Sequence, residues 1–133
     1  MTPPYEFALI PIGSLRIHER VQESNLGPLE EEIRGSGVFA DPIWVAKDSW
    51  VILNGHHRVE ALRRLGAKKV PAWVFDYDSD IIHVERWRGG HPIAKSEVVR
   101  RATDCKPFPP KTTRHRVNVT LPPRSTPLAE LLT

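Results

Sequence analysis

Apolar positions along the chain change their spacing several times, and each change marks a predicted element. Residues 7–12 run apolar through Pro11. That predicts a short edge strand, because proline has no N–H to give to a central ladder. Residues 26–34 then set Leu26, Leu29 and Ile33 at helical spacing, with Glu30, Glu31 and Glu32 toward water. Asn25 is placed to cap this helix, and Gly35 with Gly37 to end it. Residues 43–46 and 50–53 read as the two strands of a hairpin around Lys47-Asp48-Ser49, and Asn54-Gly55 closes the second strand. A helix over about residues 56–65 follows, carrying Val59, Leu62 and Leu65 on one face, and Gly66 stops it. Residues 69–75 form another apolar strand, leading into an acidic turn with Asp76, Asp78 and Asp80. Further along, residues 81–87 predict a strand, residues 94–102 a short helix, and the weak alternation of residues 117–121 a last strand. Hairpins mixed with helices indicate an α/β (α+β) fold.

Composition narrows the picture. The chain has 133 residues, one domain's worth, with 40% hydrophobic and 26% charged positions. No apolar run is long enough to cross a membrane. The opening Met-Thr-Pro-Pro-Tyr-Glu lacks a basic region leading into an apolar run, so no secretory leader is expected. Cys105 is the single cysteine, which excludes an internal disulfide and a cysteine zinc site and makes a reduced cytoplasm the default setting. Thirteen prolines are unusual, and seven of them lie beyond residue 91. The C-terminal third is therefore not expected to hold long helices or central strands. Charge is uneven as well. Residues 1–48 hold four basic and eight acidic side chains, whereas residues 95–124 hold eight basic and two acidic. A basic, proline-rich stretch suits an anionic ligand or nucleic acid, or else a solvated, extended tail.

The densest chemistry is Asn54-Gly55-His56-His57-Arg58, where a strand ends and a helix begins. The first N–H groups of a helix lack internal partners and carry partial positive charge, so this is a natural phosphate site. The glycine allows close backbone approach, and two histidines with an arginine add donors. A second candidate is Glu19, beside His18 in the loop after the first strand. The third is Pro110-Lys111-Thr112-Thr113-Arg114-His115, whose hydroxyls and cations suit a phosphate or carboxylate. By chemistry alone it could equally be a phosphorylation site or a solvated loop. Trp87, between Arg86 and Arg88, is the tryptophan best placed for a ligand, since Trp44, Trp50 and Trp73 fall in predicted strands. No histidine pair has the i, i+4 spacing with a carboxylate that a zinc site needs.

Gly37, Pro42-Ile43, Val45 and Asn54-Gly55-His56-His57-Arg58 followed by Ala61 resemble the ParB/sulfiredoxin-like fold over about residues 7–76. Sulfiredoxins carry their reactive cysteine where this chain has His56, so that activity is not expected. His18-Glu19, Gly35-Ser36-Gly37-Val38-Phe39, Gly55-His56-His57-Arg58, Trp87 and the Pro110–His115 motif together resemble a narrower group, the archaeal free serine kinases. Asn, Gln, Cys and Met number only six, which agrees with a thermophilic, archaeal source.

The resemblance implies a single domain with a small mixed sheet and flanking helices, with a core over about residues 7–90. Residues 91–133 would add a helix and a ligand-binding loop. It further implies phosphoryl transfer from ADP or ATP, with magnesium, to the hydroxyl of L-serine, giving O-phosphoserine for cysteine biosynthesis. Glu19 would be the catalytic base. Asn54, Gly55, His56, His57 and Arg58 would hold the nucleotide, and Trp87, Lys111, Thr112, Thr113, Arg114 and His115 the serine. Asn54 stands where these kinases commonly have Asp, which leaves it to act on a metal only through water. The alternative implied by the wider fold is a ParB-like nucleotide-binding regulatory or DNA-binding module without kinase activity.

Overall fold

A computed structural model describes residues 4–133. The opening Met-Thr-Pro, on which the expectation of no leader partly rests, lies outside the described residues. The centre is a four-stranded mixed sheet in the order β1-β5-β3-β4, formed by β1 (Tyr5–Pro11), β5 (Lys69–Phe75), β3 (Ile43–Ala46) and β4 (Ile52–Asn54). β1 lies antiparallel to β5 from Tyr5↔Phe75 to Pro11↔Lys69, and β3 lies parallel to β5 from Ile43↔Ala72. β5 is apolar nearly throughout because both its faces are covered. Its proline, Pro71, stands one residue before the ladder with β3 begins.

One face of the sheet packs α1 (Leu26–Ser36) and α2 (His56–Arg64) through Ile33, Phe39, Ile43, Val59, Leu62 and Val70. The other carries Trp73, Phe75, Tyr77, Ile82, Val98 and Phe108, beneath α3 (Lys95–Thr103) and a two-stranded ribbon of β6 (Ile82–Arg86) and β7 (Thr113–Val117). The small β2 (Val38–Phe39) pairs with β8 (Thr126–Pro127), which leads into α4 (Leu128–Leu131). Leu131 is wholly buried in the first core, so the end of the chain is docked rather than solvated. Its carbonyl accepts the Lys68 N–H at 2.7 Å.

Several expectations need correction. Asn25 does not cap α1; its side chain donates to Gln22 Oε1. Gly35 lies inside the helix, and Gly37 alone ends it, at φ 73°. Trp50 is not in a strand: it closes the turn after β3 at φ 58°, and β4 begins at Ile52. Val51 instead bridges to Arg16. The last predicted strand falls at Thr113–Val117 rather than residues 117–121. Thr113 and His115 point inward there, while Arg114 and Arg116 point outward. The alternation is regular, but its inward members are polar, so hydropathy misses it. Thr113, Arg114 and His115 consequently sit on a strand, with only the approach to them in a turn.

Candidate functional site

α2 starts directly from β4, and Gly55 makes the corner at φ 112°. A Cβ at Gly55 would lie 2.5 Å from Ile43 Cγ2, so both the angle and the space require glycine. No side chain caps the helix, which leaves its first N–H groups facing a cleft of about 540 Å³.

The opposite wall is built by a second junction. Phe108, held between Pro107 and Pro109, bridges in parallel to Glu19. Its N–H donates to the His18 carbonyl at 2.7 Å, and its carbonyl accepts the Arg20 N–H at 2.8 Å. The chain then turns through Pro110 and Lys111 into β7, and this turn closes on the Glu19 carboxylate. Oε2 accepts the Lys111 N–H at 3.1 Å. Oε1 accepts the N–H groups of Thr112 at 3.1 Å and Thr113 at 2.8 Å, and the Thr113 hydroxyl at 2.9 Å. Residues 92 to 94 positions apart in sequence are thereby joined at one side chain. Glu19 is buried, not the exposed glutamate its loop suggests.

Glu19, Asn54, Gly55, His56, His57, Arg58, Trp87, Lys111, Thr113, Arg114 and His115 all line the cleft. Thr112 does not; its hydroxyl donates to the Pro109 carbonyl at 2.7 Å. Asn25 and Leu53 line it too, and neither has a sequence signal of its own. Glu19 is the one carboxylate in the lining, against Arg58, Lys111 and Arg114, so the cleft favours an anion. Trp87, half-exposed, lies under the Arg114 guanidinium at 4.9 Å from its ring centre.

The side chains at the helix start are less free than their sequence suggests. His56 is buried, and its Nε2 accepts the His18 N–H at 3.3 Å. His57 Nε2 accepts the Gln22 N–H at 2.8 Å. The Arg58 Nη1 donates to the carbonyls of Asp41 and Pro42, and its guanidinium lies over Phe39. Backbone N–H groups therefore carry more of the anion-binding capacity here than the side chains do.

Behind the cleft lies a cluster of buried rings. His18 and His56 stand 4.7 Å apart centre to centre, and His18 and His115 5.7 Å. Burial pushes His18 down to about 4, and burial followed by the nearby His18 pushes His115 down to about 3. Burial likewise holds His56 well below its usual value. All three are neutral at pH 7. Tyr77 is pushed up by burial, so its hydroxyl stays protonated and donates to His115 Nε2 at 2.7 Å. His115 then carries its own proton on Nδ1, buried on the wall of the cleft and directed toward the Leu53 backbone carbonyl.

The model of the ParB N-terminal domain matches residues 7–84. The chain belongs to the ParB N-terminal domain family. Among curated proteins, it is 34% identical over 104 residues to the ADP-dependent L-serine kinase SerK of Thermococcus kodakarensis, covering 75% of this chain and 43% of that protein. It is 37% identical over 86 residues to an ATP-dependent L-serine kinase of Staphylothermus marinus, covering 62% of this chain and 34% of that one. The chain thus spans less than half the length of these curated relatives. In three dimensions it resembles a free serine kinase in complex with AMP, with a TM-score of 0.82 at 20% identity over 96% of this chain and 93% of that one. That similarity establishes a shared fold, and it reaches past the family domain into the C-terminal third. Among the described residues, no helix is long and apolar enough to cross a membrane.

Proposed function

We propose that this ParB-family domain is a free L-serine kinase that transfers a phosphoryl group from ADP or ATP to the serine hydroxyl. One observation carries the reading: the Glu19 carboxylate and the open N-terminus of α2 face the same cleft, with three cations between and around them. Phosphoryl transfer needs chiefly positioning, charge neutralisation and a group to take the hydroxyl proton. The N–H groups at Gly55–Arg58 hold the nucleotide phosphates. Lys111 and Arg114 balance charge around the acceptor, and Trp87, Thr113 and His115 shape its pocket. The names of the curated relatives support serine as acceptor and both nucleotides as donors.

Glu19 retains capacity for a base. Its Oε1 accepts three hydrogen bonds and its Oε2 only one, which leaves a lone pair on Oε2 for the serine hydroxyl. As for magnesium, no group of three or more His, Cys, Asp or Glu side chains among the described residues is arranged to hold a metal. A magnesium ion would arrive on the nucleotide phosphates and keep most of its waters, and Asn54, in the cleft lining, is the residue that would hold it through one of them. Such an ion supplies charge neutralisation on the phosphates. Lys111, Thr113, Arg114 and His115 complete the cleft, so the chain works as one catalytic domain, and its free, exposed Cys105 suits a reducing cytoplasm.

The test is incubation with magnesium, L-serine and either nucleotide, with phosphorus NMR to detect O-phosphoserine. Phosphoserine is expected with the intact chain, and Glu19→Gln is expected to abolish it while calorimetry still finds nucleotide bound. Tight nucleotide binding with no phosphoserine from either donor would make the chain a regulatory nucleotide-binding module.

A further inference from the structure

Among the described residues, His18 is the most buried polar or charged one, with no exposed surface, and it does not line the cleft. Its ring nonetheless connects to the Glu19 carboxylate through one hydroxyl. Nδ1 lies 2.8 Å from the Ile52 carbonyl, and Nε2 lies 2.8 Å from Thr113 Oγ1. Thr113 Oγ1 in turn lies 2.9 Å from Glu19 Oε1.

Counting protons along this chain shows a shortage. A carbonyl only accepts, so the His18 proton sits on Nδ1 and Nε2 is a bare acceptor. An ionised Glu19 also only accepts. Between the two acceptors stands a single hydroxyl proton, that of Thr113. The histidine ring is neutral, its ionisation suppressed by burial, so it supplies no second one. While Glu19 is charged, the hydroxyl bonds the carboxylate, because a charge-assisted bond is roughly twice as strong as a neutral one. His18 Nε2 is then left buried without a partner. Once Oε2 has taken a proton, Oε1 is an ordinary carbonyl oxygen and that advantage is gone. It still accepts the Thr112 and Thr113 N–H groups, so the hydroxyl is free to turn.

We propose that His18, acting through Thr113, is a positioning residue for proton uptake by Glu19: the Thr113 hydroxyl bonds the carboxylate before the transfer and the His18 imidazole after it. The inference rests on the kinase reading, in which Glu19 is the base. The balance is simple. The serine O–H bond breaks as the oxygen attacks phosphorus, an O–H bond forms at Glu19 Oε2, and the Thr113 hydroxyl only rotates, its O–H bond intact. A buried imidazole that lacked its partner gains one at the same moment, which favours the protonated state of the base. The ionisable neighbours of this chain are His56 and His115 against the His18 ring, and His57 and Lys111 beside Glu19.

Two measurements test it. The first needs no turnover. In Glu19→Gln, the amide oxygen takes the place of Oε1 between the two N–H groups and imitates the protonated base. Nitrogen-15 NMR of labelled histidine should show the His18 Nε2 resonance moving upfield from intact protein to Glu19→Gln, as it acquires a hydrogen bond. Identical Nε2 shifts in the two proteins overturn the inference. The second compares His18→Asn, whose amide keeps the bond to the Ile52 carbonyl but loses the ε acceptor, with His18→Gln, whose amide oxygen reaches the ε position. His18→Asn should lower kcat roughly tenfold, less than the ~10²–10⁴-fold that removing a general base itself costs, because His18 acts only through Thr113. KM for serine and nucleotide should stay nearly unchanged, and His18→Gln should recover most of the loss. Equal kcat in both variants and the intact chain, or a loss confined to KM, also overturns it. Absence of phosphoserine from the intact chain would instead remove the kinase reading, and the Nε2 shift would still decide whether the hydroxyl turns.

Discussion

Glu19 shows how far one side chain can be defined by its surroundings. In sequence it is a loop glutamate; in the fold it gathers the Lys111–Thr113 turn around its two oxygens and still faces the cleft. The histidines behind it are defined by exclusion of water. Each has its pKa in the fold below the unfolded value of about 6.5, so the unfolded chain binds protons more readily. Stability is therefore full above about pH 6.5 and is lost as pH falls toward the folded values of about 4 for His18 and about 3 for His115. His18 and His115 each contribute a loss on the order of a few kcal/mol at the acid end. Thermal unfolding from pH 7 to pH 4 should show a steep fall in Tm across this window. A flat profile would mean that the cluster is not buried and neutral.

Among the elements, the β4–α2 corner and the β6–β7 ribbon do most to form the cleft. At the corner, Gly55→Ala would combine a left-handed φ with a clash against Ile43. Strained backbone of this kind costs about 1–3 kcal/mol, and any relief must move the first turn of α2. Reduced Tm together with weakened nucleotide affinity by calorimetry is expected, and unchanged affinity would detach the helix start from phosphate binding. This corner was legible in the sequence, because a glycine between a strand and a His-His-Arg helix start has few other uses. The lysine-to-phenylalanine strand at residues 69–75 was equally plain, since burial on both faces writes a continuous apolar run. β7 was not. Its inward positions are Thr113 and His115, which satisfy Glu19, His18 and Tyr77 rather than an apolar core.

At the scale of the whole molecule, the proline-rich third wraps the domain and anchors at both ends. Phe108 bridges to Glu19 on one side of the sheet, and Leu131 enters the core on the other. Leu131→Ala should cost about 2–5 kcal/mol, as large-to-small changes at buried leucines do. Denaturant unfolding would measure the loss, and a change below about 0.5 kcal/mol, typical of surface positions, would show that the tail is not integral. Prolines on either side of Phe108 limit the freedom that this segment loses on docking.

The sequence by itself determined the fold class and the glycine corner, because these depend on local spacing and local backbone freedom, while the grouping of Glu19, Trp87 and residues 111–115 with that corner came from the motifs shared with the serine kinases. It did not determine which of those groups remain free. That His56, His57 and Arg58 are engaged elsewhere, that Glu19 meets Thr113, and that His18 stands behind them follows from packing between distant segments. Hydrogen-bond partners 38 or 95 positions away leave no periodic trace in a sequence. The proline stretch likewise announced its stiffness, but only the tertiary structure decided that it forms the second wall of the cleft, by aiming its backbone N–H groups at one buried carboxylate.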